Sequence, residues 1–155
     1  MSTTFHTAGE IGDDIKARLL LKTIAQGAET DLGRVVWMGR RTPDRDMIPL
    51  SVVIEGEDTP DQKQVGTQAD NDVRFILFAF VPCDPSNPNV AAHAAIRDLK
   101  RAIFTTDGKA DARLGGKVRK VRYLGKDIGP RADGEAFVLA TIEIMVSFVE
   151  DLANP

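Results

Sequence analysis

EAFVLATIEIMVSFVED at 135–151 and DVRFILFAFVP at 72–82 decide the fold. Successive side chains of a strand point to opposite faces. In the first stretch Ala136, Val138, Ala140, Ile142, Ile144, Val146 and Phe148 therefore share one face, and that face is wholly apolar. Phe137, Leu139, Thr141, Glu143, Met145, Ser147 and Val149 share the other, where Glu143 and Ser147 stand among apolar groups. The apolar face lines a core. The mixed face suits a subunit interface at least as well as a helix-covered core. Asp72 to Val81 reads as a strand buried on much of both faces. Both strands exceed the usual length of about 5–6 residues. Long strands left uncovered pair with other chains, so a defined oligomer is the economical expectation.

Between these strands, NVAAHAAIRDLKRAIF predicts a helix over 89–104. Ala92, Ile96, Leu99 and Ile103 recur at helical spacing, and Ala91 and Ala95 allow close approach to a sheet. Asn87 is placed to cap this helix, and Pro88 suits its first position, where the missing N–H costs nothing. An earlier helix is predicted over 14–25, opened at Gly12 or Asp13, with Ile15, Leu19, Leu20 and Ile24 as its apolar stripe and Gly27 as its stop. Shorter strands are predicted at 34–39, 50–55 and 118–124. Residues 1–12 read as a flexible amino terminus, and the polar run EDTPDQKQVGTQADN at 57–71 as a long mobile loop, a candidate contact arm. The segment KDIGPRADG reads as a turn or a bulged hairpin end. The predicted order is α-β-β-β-α-β-β. It implies one α+β domain, with a mixed, mainly antiparallel sheet of about five strands and two main helices.

At 155 residues, with 43% hydrophobic and 28% charged side chains, the chain has the balance of one soluble globular domain. A formal net charge of -3 gives no global reason for nucleic-acid or membrane binding. MSTTFHTAGEIGDD lacks the basic and apolar regions of a signal peptide, and no charge-free apolar run reaches membrane-spanning length, so no membrane partner is expected. The single cysteine, Cys83, excludes an internal disulfide and any multi-thiolate metal site. The two histidines, His6 and His93, show no metal-ligand spacing. A Cys83–His93 pair brought together in space is the one enzyme-like arrangement available, in a small α+β enzyme with its pocket between sheet and helix. The paired aspartates fit caps and turns, and neither a Walker A nor a Rossmann fingerprint occurs. No catalytic, cofactor-binding or metal-binding residue is assigned, and no cofactor is expected.

Basic residues cluster in two places. Arg34, Arg40, Arg41 and Arg45 surround the first β connection. Lys117, Arg119, Lys120, Arg122, Lys126 and Arg131 occupy the fourth strand and its exit. Solvated edge charges that resist stray strand pairing account for them. So does contact with an acidic partner or with passing DNA, in a ring that repeats the patch.

A helix comes first, then WMGRRTPDRDMIPLSVVIEG, a polar excursion, VRFILFAFVP, the helix AAHAAIRDLKRAIF, KVRKVRYLG, and the closing strand FVLATIEIMVSFVEDL. In order and local character this chain resembles the small tail-terminator, or tail-completion, proteins of long-tailed bacteriophages, which also occur in prophages and phage-derived particles. The resemblance covers nearly the whole chain but carries no diagnostic motif. It implies a hexameric ring that caps the finished tail tube, ends its polymerisation and offers a surface for joining the head or neck. It also implies a tail-tube protein and a head–tail connector protein as partners, DNA only in passage through the bore, and a place at the head-proximal end of the virion tail after assembly in the host cytoplasm. It brings no catalytic residues. The candidate interface or bore residues are Arg40, Arg41, Arg45, Arg119 and Arg122 from the basic clusters, and Glu143 and Met145 from the mixed face. Another neck or head–tail connector protein fits the same pattern.

Overall fold

A computed structural model describes residues 5–39, 42–61, 66–129 and 134–155. The elements in chain order are α1 (Ala8–Leu20), β1 (Val36–Met38), β2 (Leu50–Pro60), β3 (Gln68–Pro82), α2 (Pro88–Phe104), β4 (Thr105–Thr106), β5 (Lys109–Ala110), β6 (Lys120–Ile128) and β7 (Phe137–Asp151). This is the expected order, with the small β4–β5 hairpin inserted after α2. The main sheet has five strands in the order β1-β2-β3-β7-β6. The β1–β2 pairing is parallel, whereas β2–β3, β3–β7 and β7–β6 are antiparallel. The fold is α+β, a single domain.

β3 and β7 form the spine, paired without interruption from Gln68↔Asp151 to Pro82↔Phe137. Val73, Phe75, Leu77, Ala79 and Val81 of β3 and Val138, Ala140, Ile142, Ile144, Val146 and Phe148 of β7 enter one core cluster. The two helices cover that side. α2 buries Ala92, Ala95, Ile96, Leu99, Ala102 and Ile103 against it. Pro88 stands at the start of α2 as expected, but Asn87 makes no side-chain cap.

The first helix lies further toward the amino terminus than 14–25. Thr7 caps it, its Oγ1 accepting from the Glu10 N–H at 3.2 Å. Thr7 and Glu10 are spaced as in a capping box, so residues 8–12, expected to be flexible, are helical. The buried stripe is Ile11, Ile15 and Leu19, while Leu20 and Ile24 are 41% and 59% exposed. The chain then turns sharply under Gly33. A Cβ there would lie 2.1 Å from the Leu19 carbonyl oxygen, so only glycine fits.

The expected loop at 57–71 is largely strand in its described parts: β2 runs on to Pro60 and β3 begins at Gln68. Its polar composition hid this because the pairing Thr59↔Asp72 and Pro60↔Asn71 is made by backbone, after a register shift between Glu55 and Asp58. Residues 62–65 lie outside the described residues.

Polar anchors tie the helices down. Arg18 of α1 donates to the Thr105 and Ala102 carbonyls at 2.9 and 3.3 Å, so a cation closes the carboxyl end of α2. Arg18 also pairs with Asp14 at 2.8 Å, and Lys117 reaches the same carboxylate at 2.8 Å. Burial pushes the Asp14 carboxyl up, but the Lys117 and Arg18 hydrogen bonds outweigh it and hold it below its usual value. Asp98, fully buried on α2, accepts from the Glu29 and Thr30 N–H groups and the Thr30 hydroxyl at 3.1, 2.7 and 2.7 Å. Above it, Glu29 takes Arg97 and Arg101 at 2.8 Å each. The hydrogen bond from Arg97 is the chief cause of its pKa falling from 4.5 to about 2.

Candidate functional site

The helices cover one face of the sheet, and the other face carries the mixed residues. The β3–β7 register places Arg74, Ile76, Phe78 and Phe80 opposite Met145, Glu143, Thr141 and Leu139. Leu50, Val52 and Ile54 of β2 continue these rungs on one side, and Arg122 of β6 stands opposite Met145 on the other. Leu50 and Val52 are buried, whereas Ile54, Ile76, Phe78, Phe80, Leu139 and Met145 remain partly exposed. The face is therefore graded. One end is apolar, built from Phe78, Phe80 and Leu139. The middle carries Glu143, 4.0 Å from Arg74. The far end is ionic, with Ser147 Oγ donating to Asp72 and Lys120 opposite Ser147. An apolar patch rimmed by charge is the ordinary anatomy of a protein–protein contact.

The candidate residues fall in three groups. Glu143, Met145 and Arg122 come together on the uncovered face. Arg119 lies just before β6, where alternation does not govern it. It reaches Asp70 at 3.1 Å, and Asp70 shares the uncovered face by register. Regular strand alternation would set Arg119 and Arg122 on opposite faces, but the Asp70 ion pair brings Arg119 to the same uncovered face as Arg122. Arg45 stands apart, paired with Glu135. Arg40 and Arg41 lie outside the described residues, as does Arg131.

Among the described residues, several cations of the basic clusters are engaged by the fold. Arg34 donates to the Pro49 carbonyl at 3.1 Å and also to the Met47 carbonyl, and Lys117 holds Asp14. Among the described residues, the cations of β6 without a carboxylate partner are Lys120, Arg122 and Lys126, all exposed.

Sequence reading missed one feature of β6. The β6–β7 register shifts between Tyr123 and Gly125, so Leu124 is the extra residue of a bulge. Gly125 has φ +136°, a conformation that favours glycine. The signal was the Leu124-Gly125 step inside a strand pattern.

The arrangement offers little for chemistry. Cys83 lines a groove at the end of β3, and its thiol lies 3.7 Å from the Glu135 carbonyl. His93 is exposed on α2 and takes no part in that groove, so the two are not joined. His6 bonds Glu10 at 3.1 Å. Among the described residues no group of three or more His, Cys, Asp or Glu is placed to hold a metal ion. No helix among them is long and apolar enough to cross a membrane.

No family model and no curated protein matches the chain. Its fold is similar to that of a chain in a structure described as the virion of a native gene transfer agent (GTA) particle. The TM-score is 0.57 at 13% identity, covering 95% of this chain and 100% of that one. At that identity the likeness is one of fold.

Proposed function

We propose that this protein is a structural component of a phage or phage-derived particle that closes the tail tube as a ring, ends tube polymerisation and offers a surface for the head or neck. The observation that carries the reading is the graded, uncovered sheet face of a domain that over 95% of its length is similar in fold to a chain of a virion structure. A monomer leaves Phe78, Phe80, Leu139 and Met145 partly in water, and assembly buries them. In this reading Glu143, Met145, Arg119 and Arg122 lie at a subunit or tube contact. Arg40, Arg41 and Arg45 serve a contact or the bore, through which DNA passes without being gripped. The ring is hexameric, its partners are the tail-tube protein and a head–tail connector protein, and its place is the head-proximal end of the tail.

Electron microscopy of the purified protein mixed with tail tubes tests this. Rings at tube ends, and tubes that stop at normal length, are the expected result. Tubes that grow on in excess protein would defeat the capping role, and rings bound instead to isolated necks would point to a connector protein.

A further inference from the structure

The groove beside Cys83 has a volume of about 570 Å³ and lies between the end of β3, the start of α2 and the chain after α1. Its apolar wall includes Ile24, Val90 and Pro49, and Ile24 and Val90 are 59% and 64% exposed. Asp31 and Asp84 stand on its rim. Asp31 accepts from the Ile24 N–H at 2.8 Å and Asp84 from the Ser86 N–H at 2.9 Å. Neither has a cationic partner among the described residues. The groove therefore suits an apolar side chain flanked by positive charge.

The chain carries such a group. Leu124, 39% exposed, is the extra residue of the bulge on the edge strand β6, between Arg122 and Lys126, which have no carboxylate partner among the described residues. Bulges at sheet edges re-aim side chains. Leu152, Met47 and Tyr123, also exposed, fit less well. Leu152 follows Glu150 and Asp151, of the wrong sign. Met47 stands two residues from Pro49, at the groove's own margin. Tyr123 is engaged by Phe104, with Lys100 over its ring. Direct pairing of two β6 edges would set Lys120, Arg122 and Lys126 of each copy against one another, which like charges oppose.

We propose that the bulge of β6 in one copy seats Leu124 in the groove of the next copy, with Arg122 and Lys126 toward Asp31 and Asp84. This rests on the reading that the protein assembles with itself. Knob and socket are different surfaces, so the contact is heterologous and generates a ring when its rotation closes.

The native thiol tests it, since Cys83 lines the socket. A disulfide requires Cα atoms within about 7 Å. Leu124→Cys, oxidised with diamide and run without reductant, should give a ladder of linked chains that collapses on reduction. Wild type, with Cys83 alone, and the double variant L124C/C83S should give none. Wild type mixed with L124C/C83S should give one product, a linked pair. Asp84→Lys in the L124C background should lower the yield of ladder, and adding Lys126→Glu should restore it. A disulfide-linked pair formed by L124C/C83S alone, or no link from a folded L124C chain at any concentration, would overturn the proposal. Rings on tube ends in which L124C forms no disulfide with Cys83 would end this inference and leave the capping role standing; ladders without capped tubes would do the reverse.

Discussion

The two faces of the sheet are made by the same strands in the same register, one residue apart. On the covered face Phe75, Leu77, Ile142 and Ile144 are fully buried. On the other, Arg74, Ile76, Glu143 and Met145 alternate with them and stay partly or fully exposed. Both faces are rich in large apolar groups, so apolar content does not tell them apart. The intrusion of Glu143, Arg74 and Ser147 does, because a helix packed there would take charged and polar groups out of water. A face that tolerates ions beside phenylalanines is built for a covering that comes and goes, or that brings its own polar partners.

The largest expected effect lies on the covered face. Phe75→Ala should cost about 3–5 kcal/mol in urea unfolding, because transfer and cavity terms add. Met145→Ala, one step away on the opposite face, should cost the monomer about 1 kcal/mol or less while impairing assembly. Equal losses in the monomer would mean that both faces are covered within one chain.

Asp98 tests the covered side from its polar end. Asp98→Ala removes the acceptor of two backbone N–H groups and the Thr30 hydroxyl. Buried donors left unpaired cost about 1–3 kcal/mol, so a loss near the top of that range is expected in the same unfolding measurement. Asp98→Asn should recover part of it.

Much of this is legible in the sequence. The β7 alternation names both faces correctly, since Ile142 is fully buried and Glu143 is not. Ala92, Ile96, Leu99 and Ile103 read as the buried stripe of α2, and they are. The first helix is misplaced when apolar spacing through Leu20 and Ile24 outweighs the Thr7–Glu10 cap. Residues 57–71 read as loop because a strand held by backbone pairing can carry any side chains. The candidate site is legible in part. Glu143 and Met145 follow from alternation, but the fates of Arg34, Lys117 and Arg119 depend on partners distant in sequence: Pro49 and Met47, Asp14, and Asp70.

Smaller effects belong to the ionic end of the uncovered face. Arg119 and Asp70 are 62% and 49% exposed. Such a pair contributes about 0–1 kcal/mol, so Arg119→Ala should leave unfolding almost unchanged. Arg122→Ala should be equally silent in the monomer. A drop in ring or tube binding by either variant, followed by sedimentation, would separate a contact residue from a solvated one.

The smallest effect distinguishes an anchor on the helix side from the contacts of the sheet. Glu29 titrates near 2 in the folded protein, chiefly because Arg97 donates to it, against 4.5 ordinarily. A carboxyl with a lowered folded pKa binds protons more readily once unfolded, so its stabilising contribution is complete above pH 4.5 and fades as the pH falls toward 2. Glu29→Gln removes that contribution at every pH. The stability gap between wild type and E29Q should be widest above about pH 5, close steadily toward pH 2, and shrink in high salt, because Glu29 is 36% exposed and its ion pairs are screened. Contacts made by the uncovered face alone should not follow that titration, whereas Glu29 lines the groove proposed to receive Leu124. Assembly that fails in step with Glu29 protonation would mean that this groove, as well as the sheet face, shapes the contact.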